Sequence, residues 1–443
     1  MLKIHAFIVA LVLCASAAGT AAHSGTAVFA NDLVEVELHL TEPGLSIGTR
    51  TGHRADLRRL EACDGGAIRW RDQRRFVLPA EETCVRYRVQ LRPVQGRLAS
   101  VVPDDQTVVS PARFMWLPRL GRDDHVELTV ESVQALSLPW QLIGEDRWRV
   151  RGSPHSNDSL AVIGGVGFPV QGLQQPATLV VSSTKPGQVR KAQRWLESNL
   201  RVLRVNPYAQ VVLFLIPSQF GRSPVPYGDV IRDQGETVRF FVDLERSFSD
   251  LSYDWTAAHE LAHLQLPYID ERWISEGFAS YYQNVLQARR GAYSEVEAWT
   301  RLFEKFEQAE ASADGMSPSD TQSYPFGQAR LMIYWSGAAL ALAADVALRE
   351  QGSSLDNVLG QLRACCLPER RSYSARELFR RLDALHGGPV LTPIYERYAR
   401  KPGMPEYGAV ARRLGVEYRS GVLTLDEQAP LATIRQQIMA VGP

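Results

Sequence analysis

TAAHELAHLQLPYIDERWISEGFASYY, running from Thr256 to Tyr282, is the stretch on which the fold turns. His259 and His263 stand four residues apart, so on a helix both imidazoles leave one face and can converge on a metal ion. Glu260 follows the first histidine and points beside such an ion, where a base that activates water has to sit. Ala257, Ala258, Leu261, Ala262 and Leu264 are small or apolar, as a buried helix requires. Two histidines leave the coordination incomplete, and a third protein ligand must come from elsewhere.

Glycine and histidine three and six residues beyond the motif would provide one solution, but Leu266 and Ile269 stand there. The other solution is a glutamate on a second helix. Pro267 stops the first helix, the chain turns, and a new helical pattern starts near Arg272 and ends at Gly291. Glu276 lies in its first turn, with Phe278, Ala279 and Tyr282 directed to the core. Asp270 and Glu271 are rival carboxylates in the turn and read as solvated. One Zn2+ ion held by His259, His263 and Glu276 is therefore expected.

The run HELAH…WISEGFASYY resembles the gluzincin clan of zinc peptidases. Ile333 to Leu359, IYWSGAALALAADVALREQGSSLDNVL, looks like the corresponding helix of the glycyl-aminopeptidase family within it. That family carries a Tyr-x-Lys-Gly-Ala run, an apolar helix ending in Arg-Glu, and a Ser-Leu-Asp turn. The resemblance is strong from about Leu251 to Gly415 and loose ahead of it. It implies a thermolysin-like catalytic domain, one zinc ion and peptide-bond hydrolysis. His259, His263 and Glu276 carry over as ligands, Glu260 as general base, and Tyr334 as the donor to the oxyanion. The chain also departs from the pattern. Only twelve residues separate His263 from Glu276, Ser336 replaces the lysine, and Ser280 stands where relatives place an aspartate behind the metal. No Gly-x-x-Glu-Asn type motif that anchors a free amino terminus is evident, and Glu236 in QGETVRF is the nearest candidate. The residues after Gly415 are too few for the PDZ domain of many relatives.

The rest of the chain sets the context. Its 443 residues allow two or three domains with separate cores. Hydrophobic residues make up 45% and charged residues 22%, an ordinary globular composition. Forty-nine basic residues balance 49 acidic ones, so no electrostatic footprint for nucleic acid or an anionic membrane is expected. Residues 1–22 read as a secretory signal, with Lys3, an apolar run from Phe7 to Ala15, and small residues before Ala22. Export to the periplasm or the medium follows as an expectation, with no transmembrane segment after signal removal. Export permits disulfides, and Cys63 and Cys84, flanking a polar loop, are expected to pair. The adjacent Cys365 and Cys366 cannot easily bridge each other without backbone distortion, and the sequence leaves their pairing open.

The texture changes once. From His23 to Gln175 the period is two, as in DLVEVELHL, CVRYRVQL and HVELTVESV, which predicts half-buried antiparallel strands. After Pro176 come strands ATLVVSS, QVVLFLIPS and TVRFFVDL, the last two flanking a Gly/Pro-rich loop from Pro217 to Gly235. Helices are predicted near 272–290, 294–311, 326–350, 354–364 and 374–386, with short ones in 391–414. The expected organisation is a signal peptide at 1–22, a β-sandwich-like domain at 23–175, a mostly helical, thermolysin-like zinc peptidase domain at 176–415, and a tail at 416–443. The fold class is thus multidomain, β followed by α+β. The expected function is exported zinc-dependent hydrolysis of a peptide or protein substrate bound along the strand edge near Val238 to Val242. The alternative is a zinc-fold binding or assembly factor without turnover.

Overall fold

The computed structural model describes residues 23–93, 106–120, 124–151, 160–164, 168–169, 177–181, 185–203, 211–218, 221–231, 236–366 and 372–440. The expected signal at 1–22 lies outside the described residues.

Alternating sequence builds the front of the chain. β1 (His23–Ala30), β2 (Leu33–His39), β3 (Ser46–Gly48) and β4 (Leu57–Ala62) come first. β5 (Arg69–Asp72), β6 (Arg75–Val77), β7 (Cys84–Gln90) and β8 (Gln106–Val109) follow. After one helical turn, α1 (Pro111–Phe114), come β9 (Leu117–Pro118), β10 (His125–Ser132), β11 (Leu136–Ser137), β12 (Gln141–Gly144), β13 (Arg147–Arg151) and β14 (Ala161–Gly164). The main sheet has the order β12-β13-β10-β1-β2-β7-β4, beside smaller sheets β5-β6-β3-β9 and β11-β14-β8. In β2, Val34, Val36 and Leu38 are fully buried, while Glu35 and Glu37 face outward and pair with Arg88 and Arg86 of β7. The buried rows meet Ile47, Phe76, Phe114, Trp116 and Trp140 in one core. Cys63 and Cys84 are joined, as expected. One seam differs from the antiparallel expectation: β1 and β10 pair in parallel, because the chain returns through a long connection rather than a hairpin.

The middle of the chain supplies β15 (Phe168–Pro169), β16 (Ala177–Val181), α2 (Pro186–Leu200), β17 (Val211–Pro217), β18 (Tyr227–Ile231) and β19 (Glu236–Val242). The sheet order is β15-β16-β17-β19-β18. β17 reads VVLFLIP because both its faces are covered. Leu213 and Leu215 join the core that holds α2, while Val212, Phe214 and Ile216 meet Val108 of β8 and Val162 of β14. Two expectations are corrected here. The Gly/Pro-rich stretch contains a strand, β18, whose Gly228 and Asp229 are poor strand formers and hide it in the sequence. Because β18 pairs antiparallel with β19, Val238 to Val242 is interior, and the edge belongs to β18.

Helices make up most of the remainder: α3 (Phe248–Tyr253), α4 (Thr256–His263), α5 (Arg272–Arg289), α6 (Glu295–Ala311), α7 (Phe326–Glu350), α8 (Leu355–Cys365), α9 (Ala375–His386), α10 (Leu391–Tyr398), α11 (Tyr407–Leu414) and α12 (Ala432–Met439). Short strands β20 (Tyr268–Ile269) and β21 (Ser372–Tyr373) pair with each other, as do β22 (Val416–Arg419) and β23 (Val422–Leu425). Ser247, Ser294, Ser354 and Ser374 cap α3, α6, α8 and α9 by accepting a backbone N–H at the third helical position. α7 is long and apolar enough to cross a membrane by composition, yet it is a core helix, with 78% of its most apolar window buried.

A close contact between two helices sets the geometry. Gly277 of α5 lies against Gly337 of α7, and a side chain on Gly337 would overlap the Trp273 carbonyl oxygen. Further along, Tyr281 of α5 donates to Asp345 of α7 at 2.8 Å, so the two helices run alongside in the same direction. One more expectation is revised, and one open pairing is answered. The segment after Gly415 is no loose tail: it folds as the β22–β23 hairpin and α12, anchored by fully buried Arg435 paired with Glu295 and Glu427. Cys365 and Cys366 are joined. The backbone leaves the helical region at Cys366 (φ −131°, ψ −27°), where α8 ends.

Candidate active site

α4 and α5 bring the three expected ligands together. His259 Nε2 lies 3.2 Å and His263 Nε2 3.5 Å from the same Glu276 carboxylate oxygen. Both histidines are buried, and Glu276 keeps 22% of its side chain exposed. The rings are nearly perpendicular (86°), with centroids 5.0 Å apart. Asp270, the rival carboxylate, is exposed and outside this group. Glu271 is turned away, accepting the Ala375 backbone N–H. The twelve-residue spacer is held by β20, which pairs with β21, so its shortness does not pull Glu276 out of reach.

The far side of each imidazole is also occupied. His259 Nδ1 lies 2.9 Å from the Gln283 side-chain oxygen, and His263 Nδ1 lies 3.5 Å from Ser275 Oγ. A ring whose Nδ1 proton is taken by an acceptor presents a lone pair at Nε2, the state a metal ligand needs. Gln283 thus fixes the orientation of the His259 ring. It sits seven residues after Glu276, two helical turns on along the same face, and that spacing is the signal that could have revealed it. Ser280 itself is fully buried.

Electrostatics favour a cation at this point. Burial alone would lower the His259 pKa, but the Glu276 hydrogen bond and the Glu260 charge outweigh it and raise the value. Burial would raise the Glu276 carboxyl, yet His263 and His259 hold it well below the usual carboxylate range. Two nitrogens and one carboxylate oxygen, converging within 4.8 Å of one another, suit a three-ligand zinc centre with an open position. A second grouping, Glu37, His39 and Cys84, is no rival, because the Cys84 sulfur is in the disulfide.

Glu260 and Tyr334 border the same space. The Glu260 side chain passes over Gly228 of β18, where a Cβ would come within 2.6 Å of Glu260 Cγ. Gly228 therefore makes the room that Glu260 occupies, a role its sequence context does not reveal. The Tyr334 ring centroid lies 5.8 Å from that of His259. Burial, then the charges of Glu276 and Glu260, push the phenol pKa up, so Tyr334 stays a neutral hydrogen-bond donor near pH 7. The Trp255 and His259 rings meet nearly at right angles with centroids 5.6 Å apart, and Phe326 packs against Tyr334 at 6.5 Å. The Glu236 side chain lies outside the described residues.

A helical pair bearing two histidines and a glutamate stands beside a sheet whose edge strand passes Glu260. Solved structures share the fold. An aminopeptidase N family protein from Idiomarina loihiensis superposes with a TM-score of 0.56, covering 89% of this chain and 78% of that one at 13% identity. Leukotriene A4 hydrolase from Saccharomyces cerevisiae gives 0.51, covering 89% and 70%, also at 13% identity. No protein-family profile matches the chain, and no curated protein matches it in sequence. The chain has the gluzincin fold of the aminopeptidase N family, with a candidate metal site at His259, His263 and Glu276.

Proposed function

We propose that this protein is an exported zinc metallopeptidase that hydrolyses peptide bonds. The observation that carries the reading is the convergence of His259, His263 and Glu276 on one point, bordered by Glu260 and Tyr334. The shared fold of an aminopeptidase N family protein supports it. Zinc, when bound by the three ligands, supplies the Lewis acidity that brings the pKa of water down to about 7. Glu260 accepts the proton of the attacking water and later passes it to the leaving amine. Tyr334 donates a hydrogen bond to the carbonyl oxygen as negative charge develops there. The substrate lies extended, and the exposed edge of β18 is the strand positioned to pair with it. The export signal at 1–22 and a periplasmic or secreted location belong to the same proposal.

Metal analysis of purified protein and a broad peptide-library digest test this reading. One zinc per chain and cleaved peptides are expected. Glu260→Gln should keep the zinc and lose roughly two to four orders of magnitude in rate. Tyr334→Phe should also keep the zinc and turn over roughly a hundred- to a thousand-fold more slowly. Zinc bound with no cleavage of any peptide would leave a zinc-fold binding or assembly factor instead.

A further inference from the structure

The sheet β5-β6-β3-β9 has one face in the core and one turned outward. Ile47 and Phe76 are register partners and fully buried, so the next row, Gly48, Arg75 and Leu117, falls on the outer face. That face floors a cleft of about 460 Å³. Arg50, Arg71, Arg75, Arg119 and Arg151 all line it, and no carboxylate is among its described lining residues. Gly48 keeps the floor open: a Cβ there would stand 3.1 Å from the Arg74 carbonyl oxygen and 3.5 Å from Arg75 Nε.

Arg71, Arg75 and Arg119 are exposed and make no ion pair or side-chain hydrogen bond among the described residues. Elsewhere on the front sheets arginines take carboxylate partners, Arg86 with Glu37, Arg88 with Glu35, and Arg147 and Arg149 with Glu127. Asp72, next to Arg71, is turned back onto the Arg74 amide. In a chain with as many acidic as basic residues, Arg71, Arg75 and Arg119 gathered on one concave surface are a local separation of charge. Their mutual repulsion weakens the fold unless an anion offsets it.

We propose that this cleft binds a phosphate- or sulfate-bearing ligand through Arg71, Arg75 and Arg119. A single carboxylate carries one charge and two oxygens, too few for three guanidinium groups. A tetrahedral oxyanion offers more acceptor oxygens, which the planar donor forks of arginine match. The apolar wall formed by Met115 and Leu117 leaves room for the less polar part of such a ligand. Nothing in this assignment depends on the zinc site.

The full chain would be titrated with inorganic phosphate and with inorganic sulfate, against chloride at matched ionic strength, while its melting temperature is followed. Phosphate or sulfate should raise Tm by roughly 3–8 °C at about a hundredfold excess over the dissociation constant, and chloride should not. The R71Q/R75Q/R119Q variant should lose that rise while keeping its zinc content. Without anion it should melt no lower than the parent, since the repulsion is gone. If the triple variant does not fold, each single variant should weaken phosphate binding at least roughly tenfold. Vesicles of phosphatidylcholine with added phosphatidic acid separate the sources. Co-sedimentation that depends on the three arginines identifies a lipid headgroup, and a response to free phosphate alone identifies a soluble ester. An equal Tm rise in the triple variant would overturn the proposal. So would no response to phosphate, sulfate or phosphatidic acid, or binding of polyglutamate in their place.

Discussion

Arginine–carboxylate pairs occur in both halves of the molecule and have different consequences in each. On the front sheet, Arg88 and Glu35 face each other across β7 and β2 with 41% and 45% of their side chains exposed. Among the helices, Arg289 and Asp356 pair with only 5% and 12% exposed. Tyr282 also donates to Asp356, while Asp345 accepts from Tyr281 and from the Leu355 amide. The front owes its stability to alternating apolar rows, and its charges decorate the outer face. The helical half crosses α5 and α7 at two glycines, which contribute little side-chain contact. It locks the crossing further along with buried charge. The same residue types are therefore worth little in one half and much in the other.

The largest effect is expected where α5 meets α7. Gly337→Val places side-chain atoms where the Trp273 carbonyl oxygen and the Gly277 Cα already lie. Backbone cannot yield as a flexible side chain can. The expected outcome is a loss of more than about 4 kcal/mol, with no soluble, zinc-binding protein. Gly144→Ala in β12 is the comparison, because its new Cβ meets only Arg147 carbons at ordinary contact distance, 3.6 Å. A change below about 0.5 kcal/mol is expected there. Circular dichroism melts and zinc analysis of both variants would check this, and a normally folded Gly337→Val would show the crossing to be looser than described.

Asp356→Asn should come next, at about 3–5 kcal/mol, because it leaves the Arg289 guanidinium buried without its counter-charge. Its pH dependence sharpens the contrast. Burial would raise the Asp356 carboxyl, but Arg289 outweighs burial and holds the pKa below the ordinary aspartate value. A depressed folded pKa stabilises above the unfolded value, about 3.9, and that stabilisation is lost as pH falls through the folded pKa. The gap between parent and variant in urea melts should be constant above about pH 5 and close in acid. A gap that widens in acid would mean that Asp356 is not the group held ionised.

Third in size is the covalent staple of the front half. Cys63 and Cys84 close a loop with a sequence separation of 21. Replacing both with serine should cost roughly 3 kcal/mol in the chain-entropy account. The loss should appear in the melting of the parent compared with the double variant, with zinc content unchanged. Equal stabilities would indicate that the loop is already constrained by β4 and β7.

Legibility followed the range over which each feature is encoded. The convergence of His259, His263 and Glu276 is readable because helix spacing fixes which side chains share a face within one or two turns. The alternating strands of the front and the boundaries of α5, α6 and α7 were readable for the same reason. The edge strand was not, since Tyr227-Gly228-Asp229-Val230-Ile231 has weak strand character and is held in place by β19 rather than by its own preferences. Gly228 making room for Glu260 and Arg435 anchoring the last helix to Glu295 are contacts between distant segments, which periodicity does not register.

The smallest effect is expected on the front sheet, and it tests the comparison most directly. Arg88 Nη2 lies 2.6 Å from a Glu35 carboxylate oxygen, no longer than the 2.7 Å of Arg289 and Asp356, so distance alone would rank the two pairs as equals. Solvent argues otherwise. With water on both partners the attraction is screened, and holding two long side chains in one geometry costs entropy that offsets much of the gain. Arg88→Gln and Glu35→Gln, singly and together, should give a coupling energy of about 0–1 kcal/mol, shrinking further in high salt. The same cycle at Arg289 and Asp356 should give several-fold more and respond weakly to salt, because the pair is shielded from mobile ions. Denaturant melts of all six variants against the parent provide both numbers in one experiment. Should the exposed pair couple as strongly as the buried one, distance rather than burial would decide the worth of an arginine–carboxylate contact in this protein.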